Sequence, residues 1–411
     1  MKRIIYSLSF LLLSLIGTIS AQNELSQYLV MAAENNPSLK AKFNQYMATL
    51  KRIPQAEALP DPTVAFGYFI QPVETKNGPQ QAKISVSQMF PWFGTLSSRK
   101  HSAESMAKVK YELFEESKSK LFYDVKSTYY NLYFIHHAIA ITKENIKILA
   151  SFKGLANIKI ESGASTSVDA YRVQMEMNDL KNQLALLQDN ATVLTVKFNN
   201  FLNRDIQSDI HVVKEFSEMT LLDKRDALNS IRQNNHSLSA FDYQIEGLHH
   251  QQQVATKEGL PQFSIGLDYT FIAKGNSTSP DAGQDAFMFP KIGLTIPLYR
   301  KKYKAKVEEV IYLQRAKANE KVDKENTLTL LFEDVWKEYQ DALRRTVLYR
   351  EQEDLAKKSL SILESEYATN NLNFEEILRM ERKLLQYGLE NQKAIADARA
   401  AIAFIYYLQG N

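Results

Sequence analysis

From Phe263 to Phe271 every second residue of the chain is large and apolar, and the positions between them hold Ser264, Gly266, Asp268 and Thr270. A period of two predicts a strand with one apolar and one wet face. Val64, Phe66, Tyr68 and Ile70 repeat the pattern, as do Ile84 with Val86, and Ile292, Leu294 and Ile296. Four strands are expected, at about 62–73, 82–91, 261–273 and 286–298. Elsewhere the apolar positions step by three and four. Leu180, Leu184, Leu187, Ala191, Leu194, Phe198 and Phe201 form one such seam, and Leu132, Ile135, Ile139, Thr142, Ile146 and Leu149 another. Both predict long coiled-coil helices. Ile395, Ala398, Ile402 and Ile405 continue the theme with smaller residues suited to close packing.

Nine of the eleven prolines fall between residues 60 and 91 or between 261 and 297, the two windows that hold the strands. Proline interrupts helices, so the long seams stop there. The chain is also written twice. Asn35-Asn36-Pro37-Ser38-Leu39 returns as Asn234-Asn235-His236-Ser237-Leu238, and at the same offset Pro62 and Gly67 return as Pro261 and Gly266. A repeat of about 200 residues is too long for a solenoid unit and indicates duplication of a structural half. The expected division is a leader over 1–21, a first repeat over 22–210 and a second over 211–411. Helix lengths follow: about 65 residues, or ~98 Å, separate the first strand pair from a turn near 163–167, against two shorter helices of about 34 and 38 residues. The second half repeats this arithmetic. A helix that long has no core of its own and must lie beside equally long neighbours.

Residues 1–21 have a basic start at Lys2 and Arg3, an apolar run from Ile4 to Ile16 and small residues before Gln22. That is the form of a secretory signal peptide cleaved after Ala21. Removing it lowers the net charge from +3 to +1, so no basic field argues for nucleic acid. Cysteine is absent, which excludes disulfides, thiolate metal sites, Cys nucleophiles and an acylated lipoprotein cysteine. No later run of about 18 apolar residues predicts a helical membrane span, which leaves closed strands as the membrane option. Adjacent histidines at 136–137 and 249–250 point about 100° apart on a helix and share no metal. No phosphate loop, H-E-x-x-H or G-x-S-x-G occurs, so neither a catalytic site, a metal site nor a cofactor is expected.

Alternation alone favours a soluble antiparallel sheet packed on a core. Two features shift the balance towards an outer-membrane barrel with lipid outside and water inside. Each strand is about ten residues long, enough to cross a bilayer at a tilt, and aromatic residues gather near the strand ends. Four strands cannot close a barrel, so several copies must contribute.

The duplicated order of helix, two strands, long helix, turn and helix resembles the TolC-type outer-membrane efflux proteins over essentially the whole mature chain. LPDPTVAFGY (59–68), ISVSQMFPWFGTLSSR (84–99) and GASTSVD (163–169) carry the local likeness, and the LPDP and FPWFG stretches are most similar to the heavy-metal-efflux branch. The resemblance implies a mainly helical chain with a small β part. It implies a homotrimer, with a twelve-stranded barrel in the outer-membrane lipid of a Gram-negative bacterium and a helical periplasmic tunnel. It also implies a membrane-fusion adaptor as partner and, through it, an inner-membrane pump, most simply of the RND type. Catalysis would be absent. The runner-up is a soluble periplasmic coiled-coil adaptor or scaffold.

Function would concentrate at the turns, with Gly163 and Ser165 in the first and Asn370 and Leu372 in the second as adaptor contacts. The family's closing aspartate–tyrosine contact carries over to Asp169 and Tyr367. Its constriction carboxylates map to Glu376 and Arg379, and the second departs from the family by placing a cation where an anion is expected. Leu372 stands where the family has an arginine, which puts one closing link in question. The bland reading makes all four helix-surface residues, with Asp169 favoured by the helix dipole. On the strands, Val64, Phe66, Tyr68, Phe263, Ile265, Leu267, Tyr269, Ile292 and Leu294 are the expected lipid-facing set.

Overall fold

The computed structural model describes residues 24–163, 166–216, 222–369 and 374–411. The leader and the tip positions Ser165, Asn370 and Leu372 lie outside the described residues. A helix over 24–35 (α1) is followed by α2 (Pro37–Leu50), α3 (Arg52–Glu57), β1 (Thr63–Thr75), β2 (Gly78–Phe90), α4 (Thr95–Glu161) and α5 (Ser167–Leu202). The order then recurs as α6 (Lys224–Asn234), α7 (His236–Glu258), β3 (Gln262–Ile272), β4 (Ala286–Thr295), α8 (Arg300–Thr369) and α9 (Phe374–Leu408). The chain is mostly helical with one antiparallel sheet, ordered β1-β2-β3-β4.

α4 runs unbroken for 67 residues and α8 for 70, because neither contains proline and the only glycine in the pair is Gly154. Pro91 and Pro297 stand just ahead of them, where a missing N–H costs least. Two compact units divide the chain, each drawn from both halves. One comprises Met1–Lys42, Phe114–His236 and Glu325–Asn411; the other comprises Phe43–Leu113 and Ser237–Lys324.

The first unit is helical. One core cluster joins Tyr28, Ala32 and Leu39 to Leu121, Val125, Tyr129 and Leu132 and to Phe198 and Leu202. The duplicated Asn-Asn motif has the same duty in both halves. Asn36 Nδ2 donates to the Phe201 carbonyl at 3.0 Å, and Asn235 Nδ2 donates to the Leu408 carbonyl at 2.9 Å. Each asparagine therefore satisfies an orphan carbonyl at the end of a helix far away in sequence. The stretch between the halves is held by buried tyrosines, since Tyr129 and Tyr339 accept hydrogen bonds from the backbone N–H groups of Val213 and Leu222.

The second unit contains the sheet. Where residues 74–81 were expected to connect the first two strands, the turn contracts to 76–77 and both strands extend towards it. The contraction requires Gly78, at φ +126°, where an added Cβ would lie 2.0 Å from the Ala273 carbonyl oxygen. The other hairpin reaches across to the same place: Ala273 N–H donates to the Pro79 carbonyl, Gly283 N–H to that of Asn77, and Ser277 Oγ to that of Lys76. At the other end of the strands, Glu258 accepts from Arg99 at 3.1 Å and Lys306 at 2.8 Å. That carboxylate ties α7 to α4 and α8.

Replacing Asn36 or Asn235 by alanine is expected to destabilise the folded chain by roughly 1–2 kcal/mol each, since a buried carbonyl loses its partner. The two effects should add in the double variant. Thermal melting of the purified protein checks this; a strongly unequal pair would remove the parallel between the halves.

Candidate functional site

Two regions stand out, the sheet and the helical ends beside Gly163. On the sheet, register sorts the side chains cleanly. Phe66, Ile84 and Tyr269 share one cross-strand row and Val64, Val86 and Leu267 the next, while Ile265 pairs with Ile292 and Phe263 with Leu294. The opposite face carries Ser87 opposite Gly266, and Lys83 opposite Thr270. Nothing among the described residues covers the apolar face: Phe66 is 69% exposed, Ile70 90% and Ile292 73%. Val64, Tyr68, Ile265, Leu294 and Phe263 are exposed with them, while Leu267 and Tyr269 are half-buried. Trp92 stacks on Phe263 at 5.8 Å, leaving Phe93 exposed. No helix among the described residues is long and apolar enough to cross a membrane.

At the helical end, α4 stops at Glu161 and Gly163 follows at φ +73°, the left-handed conformation that commonly ends a helix and that glycine adopts without strain. Asp169 lies in the first turn of α5, where the helix dipole favours a carboxylate. Its carboxylate is 3.4 Å from Arg172. Tyr367, near the end of α8, is buried against Phe374, with ring centroids 5.2 Å apart, and Phe374 meets Phe152 edge-on. Burial and the nearby negative charge of Asp169 both raise the Tyr367 hydroxyl above its ordinary pKa. That hydroxyl has no hydrogen-bond partner among the described residues, so the two residues share a neighbourhood without a direct bond. Glu376 and Arg379 form an ion pair along one turn of α9. The expected constriction charges are therefore paired within a single helix.

Sequence reasoning missed the groups that link the helices. Arg172 Nε lies 3.6 Å from Glu375, and Arg382 reaches both Glu375 and Glu176 at 3.1 Å. Arg172–Glu375 and Arg382–Glu176 bridge α5 and α9, while Arg382–Glu375 lies within α9. Lys159 of α4 donates to the Tyr367 carbonyl at 2.6 Å and sits 3.5 Å above that ring. The signal was present in the spacing: Asp169, Arg172 and Glu176, and likewise Glu375, Arg379 and Arg382, each line one helix face.

Below these charges, Leu149, Val173, Met177, Leu180, Leu360, Ile377 and Leu378 form an apolar cluster, and Glu381 is buried beside it. Asn145 Nδ2 donates to Glu381 Oε2 at 3.3 Å, while Oε1 has no partner among the described residues. Burial pushes this carboxyl up to about 7; the Asn145 bond opposes the shift and the negative charge of Glu364 adds to it. Among the described residues no group of three His, Cys, Asp or Glu side chains could hold a metal ion.

The arrangement is similar in fold to solved outer membrane proteins. VceC, an outer membrane protein of Vibrio cholerae, superposes with a TM-score of 0.79 at 12% identity, over 96% of this chain and 98% of that one. The open-state MtrE outer membrane channel of Neisseria gonorrhoeae gives 0.75 at 14% identity, over 94% and 89%. Residues 28–197 match the family model "Outer membrane efflux protein". A curated relative, "Toxin and drug export protein A" of Aggregatibacter actinomycetemcomitans, is 27% identical over 112 residues. That alignment spans 27% of this chain and only 24% of the relative. Identities of 12 and 14% to the solved channels establish the fold and are silent on cargo.

The Glu381 carboxyl has an ordinary value of 4.5 and a folded value of about 7. Between these the folded state holds more protons than the unfolded one. This group's contribution is therefore most favourable below pH 4.5 and declines as pH rises through 7, by about 3 kcal/mol. Glu381→Gln should match the wild type in thermal stability near about pH 5 and exceed it near about pH 8. Parallel melting profiles across that range would show that the buried carboxyl is not titrating.

Proposed function

We propose that the chain is the outer-membrane exit duct of a tripartite efflux assembly, conducting small molecules or metal ions passively from periplasm to exterior. The observation that carries this reading is the sheet, whose apolar face is left uncovered while the opposite face holds serines, threonine and paired charges. A bilayer is the natural cover for the first face and water for the second. Three copies would supply twelve strands, enough to close a barrel, where four are too few. The helices then form a periplasmic conduit whose ends at Gly163 and around 370–373 meet an adaptor, with an inner-membrane pump of RND type behind it supplying the energy. The match to the outer membrane efflux family model supports this role. The soluble scaffold reading needs the same strand residues inside a core, and Val64, Phe66, Ile70 and Ile292 are uncovered.

Within this role, closure of the conduit rests on the bridges between α5 and α9, with Arg172, Glu176, Glu375 and Arg382 as their groups, Asp169 pairing with Arg172 along α5 and Tyr367 packed behind them. Extraction should yield trimers only in detergent; a detergent-free monomer would support the scaffold instead. In planar bilayers, Asp169→Ala and Arg382→Ala should each raise single-channel conductance severalfold by loosening the helical ends. Conductance equal to wild type in both would leave the duct intact and remove the gate assignment.

A further inference from the structure

The four strands contain only four charged residues, Glu74, Lys83, Asp268 and Lys291. Glu74 sits beside the tight turn at 76–77. The other three meet on the face opposite Phe66 and Ile84. Asp268 Oδ2 is 2.6 Å from Lys83 Nζ on β2, and its Oδ1 is 3.1 Å from Lys291 Nζ on β4. Ser85 adds a third hydrogen bond to the same carboxylate. One lysine would neutralise Asp268; two leave an excess of one positive charge per chain.

Exposure decides what a passing solute meets. The Asp268 side chain is only 5% exposed, whereas Lys83 and Lys291 are 36% and 49% exposed. The carboxylate is thus covered by its own partners, and the charge presented to water on this face is ammonium. Resting on the exit-duct reading above, we propose that Lys83 and Lys291, positioned by Asp268, form a cationic girdle inside the pore that favours anionic small solutes over cations. In a threefold assembly the girdle holds six lysines against three shielded carboxylates. A ring of one sign at a constriction or wall selects ions of the other sign. This points to anionic organic molecules as the favoured cargo and makes free metal cations a disfavoured one.

Because the chain has no cysteine, a single reporter thiol can be placed at will. Ser87 pairs with Gly266, which pairs with Lys291, so Ser87→Cys lies in the same cross-strand row as one of the lysines. The full-length protein in intact outer membranes is treated from outside with methanethiosulfonate reagents of charge −1 and +1, and each rate is normalised to that with a free thiol. The anionic reagent is expected to lead by roughly fivefold, the effect of a local potential near one kT. Lys83→Gln with Lys291→Gln should bring the ratio near one, and Asp268→Asn should raise it above the starting value. Lys291→Gln alone keeps Asp268 paired with Lys83 and should give an intermediate ratio, so the test survives if the double variant does not fold. A ratio unmoved by removing the lysines, with Ser87→Cys still reactive, overturns the girdle and leaves the duct standing. If Phe66→Cys reacts while Ser87→Cys reacts with neither reagent, the face assignment fails, and the duct and girdle fall together.

Discussion

A peptide N–H or C=O left unpaired in hydrocarbon costs several kcal/mol, and this constraint governs the arrangement. The sheet is an open one: β1 and β4 are its edges, and each finds a strand partner on one side only. Its apolar face suits lipid, yet its edges do not. On the exit-duct reading, a barrel completed by other copies would remove both edges at once, which would make association a condition of entering the membrane rather than an addition to it. The long helices follow from the same logic. A 70-residue helix without glycine or proline is easily formed, but it needs flanking helices along its length to cover its apolar seam.

At the helical ends the controlling contacts are electrostatic and lie between α5 and α9. Arg382 touches two carboxylates on different helices, and Lys159 ties α4 to the backbone of α8 beneath the Tyr367 ring. Partly exposed ion pairs of this kind are individually weak. In the proposed gate they would suit a closure opened by a partner, because several small bridges can be exchanged for contacts with another surface at little net cost. Glu381 lies deeper, buried beside the apolar cluster with one carboxyl oxygen unbonded among the described residues.

Much of the fold was legible in the chain. Period-two alternation located all four strands, and steps of three and four marked the helices, because both periodicities come directly from backbone geometry. The tight turn at 76–77 was not legible, since residues 74–81 read as polar connection while their pairing is set by contacts across to residues 273–283. Asp169 and Tyr367 were brought to the same neighbourhood, yet the expected bond between them is absent and the bridging falls to Arg172, Glu375 and Arg382. Local spacing shows which charges share a helix face; it does not show which face of another helix lies opposite. Asp268 is the clearest instance. Alternation placed it on the wet side, but its two lysines come from strands that are far apart in sequence.

The stitching of the two hairpins has a consequence for how the protein would be recognised from outside. Asn77 and Pro79 of one hairpin accept hydrogen bonds from Gly283 and Ala273 of the other, and Gly78 leaves no room for a side chain between them. On the exit-duct reading this end would face outward, and an antibody approaching it would meet one composite epitope assembled from both halves of the chain. Sequence drift in either loop is therefore restrained by the other, most tightly where Gly78 packs on the Ala273 carbonyl.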